Sequence, residues 1–276
     1  MIHAVRDEPV TPVFRGGRGC STGSGLEAGG RSGYAGGMEI ALLTVRQLLS
    51  RGRVLILLGV VALPPFVAAL YVASSSTIAP DRFLSRLCEG PVLALVLPLL
   101  ALIIGGAALG NEVEDGTLQY LVMKPVSRLH IVLAKLAPAV VIVALLAGLS
   151  VLASALIVGR DGHTLRIGLA FLVGSTAGAL AYTTLFLLLG LVTTRSFVIG
   201  LAYVFLWEGA LSGLFAGLRA LSVRQYARAI AAALANVPSS ILDVKLTTTP
   251  ALIGVVVVTV LGCLVATLRL RKMDVE

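Results

Sequence analysis

The sequence predicts an all-α, polytopic membrane protein: six transmembrane helices, an amphipathic interface helix ahead of them, a short cytoplasmic helix between spans two and three, and short outer helices between spans five and six. Three observations lead there. The mean hydropathy is +0.98. Charged residues are only 13% of the 276 and apolar ones 57%, whereas soluble domains carry roughly a quarter charged. The charges are also segregated, because six apolar runs totalling 126 residues contain one of the 36, Glu208. A chain with so little polar surface cannot cover itself against water, while a bilayer core of about 30 Å asks for about 20 apolar residues per helix.

Residues 1–37 differ from the rest of the chain. They hold 10 of the 30 glycines and lack the continuous apolar stretch of a secretory signal, so they are expected to be a disordered tail. Translation beginning at Met38 is the alternative expectation. Within the tail, Gly25, Gly30, Arg31 and Ser32 imitate a phosphate-cradling loop, but arginine replaces the lysine and no apolar strand precedes it. Cys20, Cys88 and Cys263 are far apart, Cys88 falling in an expected short loop, and His3, His130 and His163 are equally scattered. That spacing gives neither a disulfide framework nor a metal site.

From Met38 to Arg53 the chain is amphipathic. At 100° per residue Ala41, Val45, Leu48 and Leu49 share one side, and Glu39, Arg46, Ser50 and Arg53 the other. Such a helix would lie along the membrane interface, arginines toward headgroups; simple extension of the first span is the competing reading.

The spans are expected at Val54–Val72, Val92–Leu109, Leu136–Val158, Ile167–Val192, Phe197–Leu218 and Ala251–Leu268. Pro64 and Pro65 remove two backbone donors from the first, which should kink it unless neighbours satisfy the freed carbonyls. The small pairs Gly106/Gly110, Gly174/Gly178 and Gly213/Gly217 allow close helix contact, within the chain more readily than between chains. An even number of spans puts both termini, including 269–276, on one side. Ten basic residues from Met38 onward would then lie with the termini and eight opposite, which favours cytoplasmic termini by a narrow margin.

The dense polar block is Asn111 to Lys135. Glu112, Glu114 and Asp115 end the apolar run in water, Gly116 permits a turn, and Thr117 can cap a short helix beginning there. Leu118, Leu121 and Val122 share one face of that helix of less than two turns, which Pro125 stops. Ser127 can cap the next helix, whose polar start is Arg128, His130 and Lys135. A short helix with apolar knobs and flanking charges suits docking into a groove on another protein; a merely solvated loop is the other reading.

This block resembles the cytoplasmic signature of the type-2 ABC-transporter permeases: an acidic E-x-E/D-x-G-T-L stretch, a short apolar helix, a P-V-S-R turn and a basic residue opening the next helix. Here these are Glu112, Glu114, Asp115, Gly116, Thr117, Leu118, Pro125, Val126, Ser127, Arg128 and Lys135. The leading amphipathic helix and the long segment 219–250 also fit. The resemblance implies the permease subunit of an exporter in the plasma (inner) membrane, coupled through 111–135 to separate ATPase subunits that carry the ATP and magnesium. It implies a second permease copy as partner, and Glu112 and Asp115 paired with basic groups of the ATPase or of the leading helix. No complete phosphate-loop motif occurs in the chain, so no cofactor is expected on it. The +8 net charge reads as membrane sidedness and headgroup contact rather than nucleic-acid binding.

Glu208, beside Trp207, is costly in a span and should face a cavity or a partner. A place on the translocation path and a structural anchor both remain open. After span five, Val223, Tyr226, Ile230 and Leu234 share a narrow arc that excludes Arg224 and Arg228. Such a helix would rest on outer headgroups or, as the resemblance implies, cap the path. An integral-membrane enzyme, or an ATP-independent channel or carrier, is the alternative function. The spans contain neither paired carboxylates nor a nucleophile with a base, and carriers usually show more charge within them.

Overall fold

The computed structural model describes residues 51–74, 78–114, 127–159, 161–193, 195–206, 222–235 and 247–272, all helical or in short links. Helix α1 is Arg51–Ala73. Pro80–Leu87 (α2), a wider-wound π-helical stretch Cys88–Val96, and Leu97–Glu114 (α3) succeed one another as a continuous rod. Then come α4 (Arg128–Val158), α5 (Gly162–Val192), α6 (Ser196–Ala202), α7 (Val223–Ala235) and α8 (Thr248–Lys272). Among the described residues five stretches are long and apolar enough to cross a bilayer: Gly52–Ala73, Pro80–Val113, Arg128–Val158, Gly162–Val192 and Thr248–Arg271. Of the expected fifth span only the start is described, α6 and its continuation to Leu206. Most of the amphipathic stretch 38–53 and all of the tail 1–37 lie outside the described residues, as do Gly213 and Gly217.

Two boundaries differ from expectation. The second span begins at Pro80 rather than Val92, so Cys88 is a buried helical residue and not a loop residue. Pro80 in the first turn and Asp81 just after it are favourable N-terminal residues. Pro91 breaks the apolar run in sequence without breaking the helix. The chain there takes the wider π winding, and at its end the Leu97 N–H donates to the Val92 carbonyl, five residues back. The third span begins at Arg128, two turns before the apolar run at Leu136. Ser127 does stand at its N-cap in extended backbone, but its hydroxyl makes no capping bond; its carbonyl accepts from the His130 and Ile131 amides.

Helix α5 is the hub, touching α2, α3, α4, α6, α7 and α8. Tyr182, Phe171 and Phe186 are fully buried on it, and glycines let its neighbours approach. A Cβ on Gly190 would stand 2.5 Å from the Gly106 carbonyl oxygen, and one on Gly174 2.5 Å from that of Ala227. The pairs Gly106/Gly110 and Gly174/Gly178 are therefore used within the chain, against α5 and α7. By contrast α1 and α8 turn rows of exposed Leu, Ile and Val outward, including Leu55, Leu58, Val256 and Val260. In a bilayer such rows need no protein cover.

Pro64 and Pro65 sit inside α1. Pro65 deprives the Val61 carbonyl of its helical donor, and Ser150 of α4 supplies one at 2.9 Å. Several other hydroxyls are satisfied within their own helices: Ser154 donates to the Ser150 carbonyl, Thr184 to that of Leu180 and Thr259 to that of Val255. Hydrocarbon offers no water, so each hydroxyl turned back on the backbone avoids a stranded donor.

Candidate functional site

The polar block identified in the sequence is described at its two stems. Asn111 and Glu112 lie in the last turn of α3, which ends at Glu114. Ser127 precedes α4, and Arg128 is its first residue. The intervening Asp115, Gly116, Thr117, Leu118, Leu121, Val122 and Pro125, and the side chain of Glu114, lie outside the described residues. So do Trp207 and Glu208.

At the stems the structure closes a charge pair. The ammonium of Lys135 binds Oε1 of Glu112, joining the end of α3 to a point about two turns into α4. Lys135 is only 4% exposed. The second oxygen of Glu112, Oε2, is buried with no hydrogen-bond partner among the described residues. Arg53, at the start of α1, donates from Nη2 to Oδ1 of Asn111 at 3.2 Å. The leading segment therefore reaches this end of the bundle through Asn111, while Glu112 is taken by Lys135. Among the described residues, then, the partner of Glu112 is Lys135 of α4. The physical reason is burial: Ile131, Val132, Lys135, Leu136 and Ala139 are the buried stripe of α4, and an ammonium placed there needs a carboxylate beside it.

At the opposite end a second charge cluster forms. Arg228 Nη2 lies 2.6 Å from Glu89 Oε1, and Arg224 Nη2 donates to the Glu89 carbonyl at 3.2 Å. Both arginines come from α7 and Glu89 from the π-helical stretch. Three residues of the apolar arc of α7, Val223, Tyr226 and Ile230, are covered, and Ala227 meets Gly174 and Gly178 near the midpoint of the 31-residue α5. Val223, Tyr226, Ile230 and both arginines are thus engaged within the chain, while Leu234 of the same arc stays exposed. Beside it the α4–α5 link is tied to α2. His163 Nδ1 is 3.1 Å from Asp81 Oδ2. The Thr164 hydroxyl donates to Asp161 Oδ2 at 2.9 Å and lies 3.2 Å from Asp81 Oδ1.

Sequence reasoning names Glu112, Arg128 and Lys135, yet misses that Glu112 and Lys135 are each other's partners, and it gives Glu89, Asn111 and Arg53 no site role. A signal for Lys135 is present: it falls on the same helical stripe as Val132 and Leu136. Glu89 carries none, since only the three-dimensional return of α7 reveals its partner.

Among the described residues the arrangement is a helical bundle with its charges at the two ends, the two stems of the polar block at one of them. Comparison with known proteins decides what such a bundle is. The profile of the ABC-2 family transporter proteins matches residues 49–218. The chain belongs to that family. It is a multi-pass membrane permease, and the matched region of this ABC-2 permease includes both stems of the polar loop and Glu89. No curated protein matches the chain.

Proposed function

We propose that this ABC-2 permease is the membrane half of an ATP-driven exporter with six spans, both termini cytoplasmic, in the plasma membrane. Loop 111–135 is its contact with a separate ATPase subunit that binds ATP and magnesium and performs the hydrolysis. Leu118, Leu121 and Val122 are the apolar knobs of a short coupling helix; Glu114, Asp115, Gly116, Thr117, Pro125 and Arg128 shape and flank it. Two ATPase subunits closing on ATP rock two permease copies about the shared path. Trp207 and Glu208 are candidates for its wall.

The observation that carries this reading is the Glu112–Lys135 pair. A loop whose stems are independent would absorb a push by flexing. A loop whose stems are joined by a buried charge pair passes the push to α3 and α4 together. The test is replacement of Leu118 and Leu121 by Asp. Co-purification of the ATPase and ATP-dependent transport should be lost while membrane insertion is unchanged. Retention of the ATPase by that double variant would overturn the docking assignment.

A further inference from the structure

A cleft of about 280 Å³ opens between α1, α3 and α6 at the end of the bundle that carries the polar loop. Its composition changes along its length. Arg53 and Asn111 line its end nearest the polar loop, which serves as its mouth, Leu102 lies nine residues further along α3 with Gly106 between as its floor, and Ile56 and Phe197 add apolar surface from α1 and α6. Leu102 to Asn111 is nine residues of helix, about 14 Å at 1.5 Å per residue, or half of a bilayer core of about 30 Å. The lining therefore runs along α3 for about the thickness of one leaflet, polar at the end that carries the loop and apolar toward the middle of the rod. Among the described residues Arg53 supplies the charge in its lining. Asn111 accepts one of the five guanidinium N–H groups, which fixes the cation at the mouth and leaves other donors for an anion.

The geometry points to a binding site for an anionic phospholipid of the adjoining leaflet, its phosphate on Arg53 and one acyl chain along Gly106, Leu102, Ile56 and Phe197. Charge complementarity selects the head, since a guanidinium pairs well with phosphate oxygens. The volume, near the low end of ligand pockets at about 300–1,000 Å³, selects one chain rather than a bulky polycycle. The floor is open: a Cβ on Gly106 meets only the Ser196 hydroxyl, at 3.9 Å. A larger side chain at 106 would thus fill the trough without displacing backbone. This inference does not depend on the transport reading, because its readout is lipid retention alone.

The test is native mass spectrometry of the full chain released from mixed micelles of phosphatidylglycerol and phosphatidylcholine with identical acyl chains. The wild type should retain one phosphatidylglycerol per chain, at least about tenfold over phosphatidylcholine, as one charge-assisted contact implies. Arg53→Gln should abolish the preference and Arg53→Lys keep most of it. Gly106→Leu should remove retention of both lipids; should that variant fail to fold, the Gln and Lys variants decide alone. Equal retention of the two lipids by wild type, or an undiminished preference in Arg53→Gln, overturns the site. A Gly106→Leu variant that lost dimer while keeping its lipid would make the cleft a seam between two copies and overturn it equally.

Discussion

The hydroxyl of Ser150 on α4 donates to the carbonyl of Val61 on α1 at 2.9 Å, and that carbonyl is the one Pro65 leaves without its helical donor. One bond thus completes a proline-broken turn and fastens the peripheral α1 to the bundle. Ser150→Ala should cost about 1 kcal/mol, within the range found for hydrogen bonds between membrane helices. In a Pro65→Ala background residue 65 regains its N–H, and the same Ser150→Ala change should cost less. Unfolding of the four proteins in mixed micelles closes the cycle. Additive losses would show that the hydroxyl acts elsewhere.

The Glu112–Lys135 pair makes a sharper demand. Removing one partner of a buried pair strands the other, typically at about 3–5 kcal/mol, discounted here because Glu112 keeps 14% side-chain exposure. Lys135→Met and Glu112→Gln should each lower thermal stability by several degrees. The double neutral variant, with neither charge left unpaired, should recover most of the loss. If the double variant is as unstable as the sum of the singles, the pairing is incidental.

Much of the bundle is legible in the sequence, because apolar run length alone marks a span. Five of the six runs fall inside described helices of membrane-crossing length, the first, fourth and sixth with ends close to those expected, and the two prolines inside α1 are legible as well. The second span reads twelve residues short. Glu89, Gly90 and Pro91 look like a loop in sequence, and nothing in local composition announces that a π-helical stretch carries Pro91 within a helix. The candidate site is legible as a motif and not as geometry. Lys135 and Glu112 both stand out, but their pairing depends on α3 and α4 lying side by side, which periodicity cannot supply. Arg224 and Arg228 fall off the apolar arc of α7 in sequence as in structure. Their partner, Glu89, lies far back in the chain, so periodicity leaves the helix free to face headgroups.

Close packing on α5 predicts a contrast between two glycines. Even a methyl on Gly190 would collide with the Gly106 backbone, whereas Gly59, inside α1, has nothing within 4 Å of its would-be Cβ. Gly190→Ala should destabilise by about 1–3 kcal/mol through forced separation of α3 and α5. Gly59→Ala should be neutral or gain up to about 1 kcal/mol from helix propensity. Melting temperatures of the two variants in detergent test this, and a similar shift for both would show that α3 and α5 are not in contact at Gly190.

Helix α7 should be held by charge as well as by packing. Arg228 and Glu89 are mostly covered, with side chains 17% and 21% exposed. Arg224 adds a bond to the Glu89 backbone. Glu89→Gln should speed amide exchange across 223–235 by about tenfold, the equivalent of about 1.4 kcal/mol, without a matching change in α3 or α4. Uniform acceleration through the bundle would mean instead that Glu89 supports the whole fold.

The link between α4 and α5 gives a prediction in pH. Asp161 caps α5 by accepting from the Thr164 amide at 3.3 Å and from its hydroxyl at 2.9 Å. The Thr164 hydroxyl is the main influence holding its carboxyl below the usual value, with the backbone amides of Asp161 and Thr164 next. A carboxyl lowered in the folded state adds stability that is fully present above its unfolded value of about 3.9 and disappears as pH falls through the folded one. Asp161→Ala should therefore lower the melting temperature at pH 7, and the gap between variant and wild type should narrow steadily below about pH 4. Thr164→Val removes the main influence on the carboxyl and should shrink the pH-dependent part of that gap while leaving the amide cap in place. A gap that stayed constant down to about pH 3 would mean that Asp161 acts through packing or helix propensity and not through its charge.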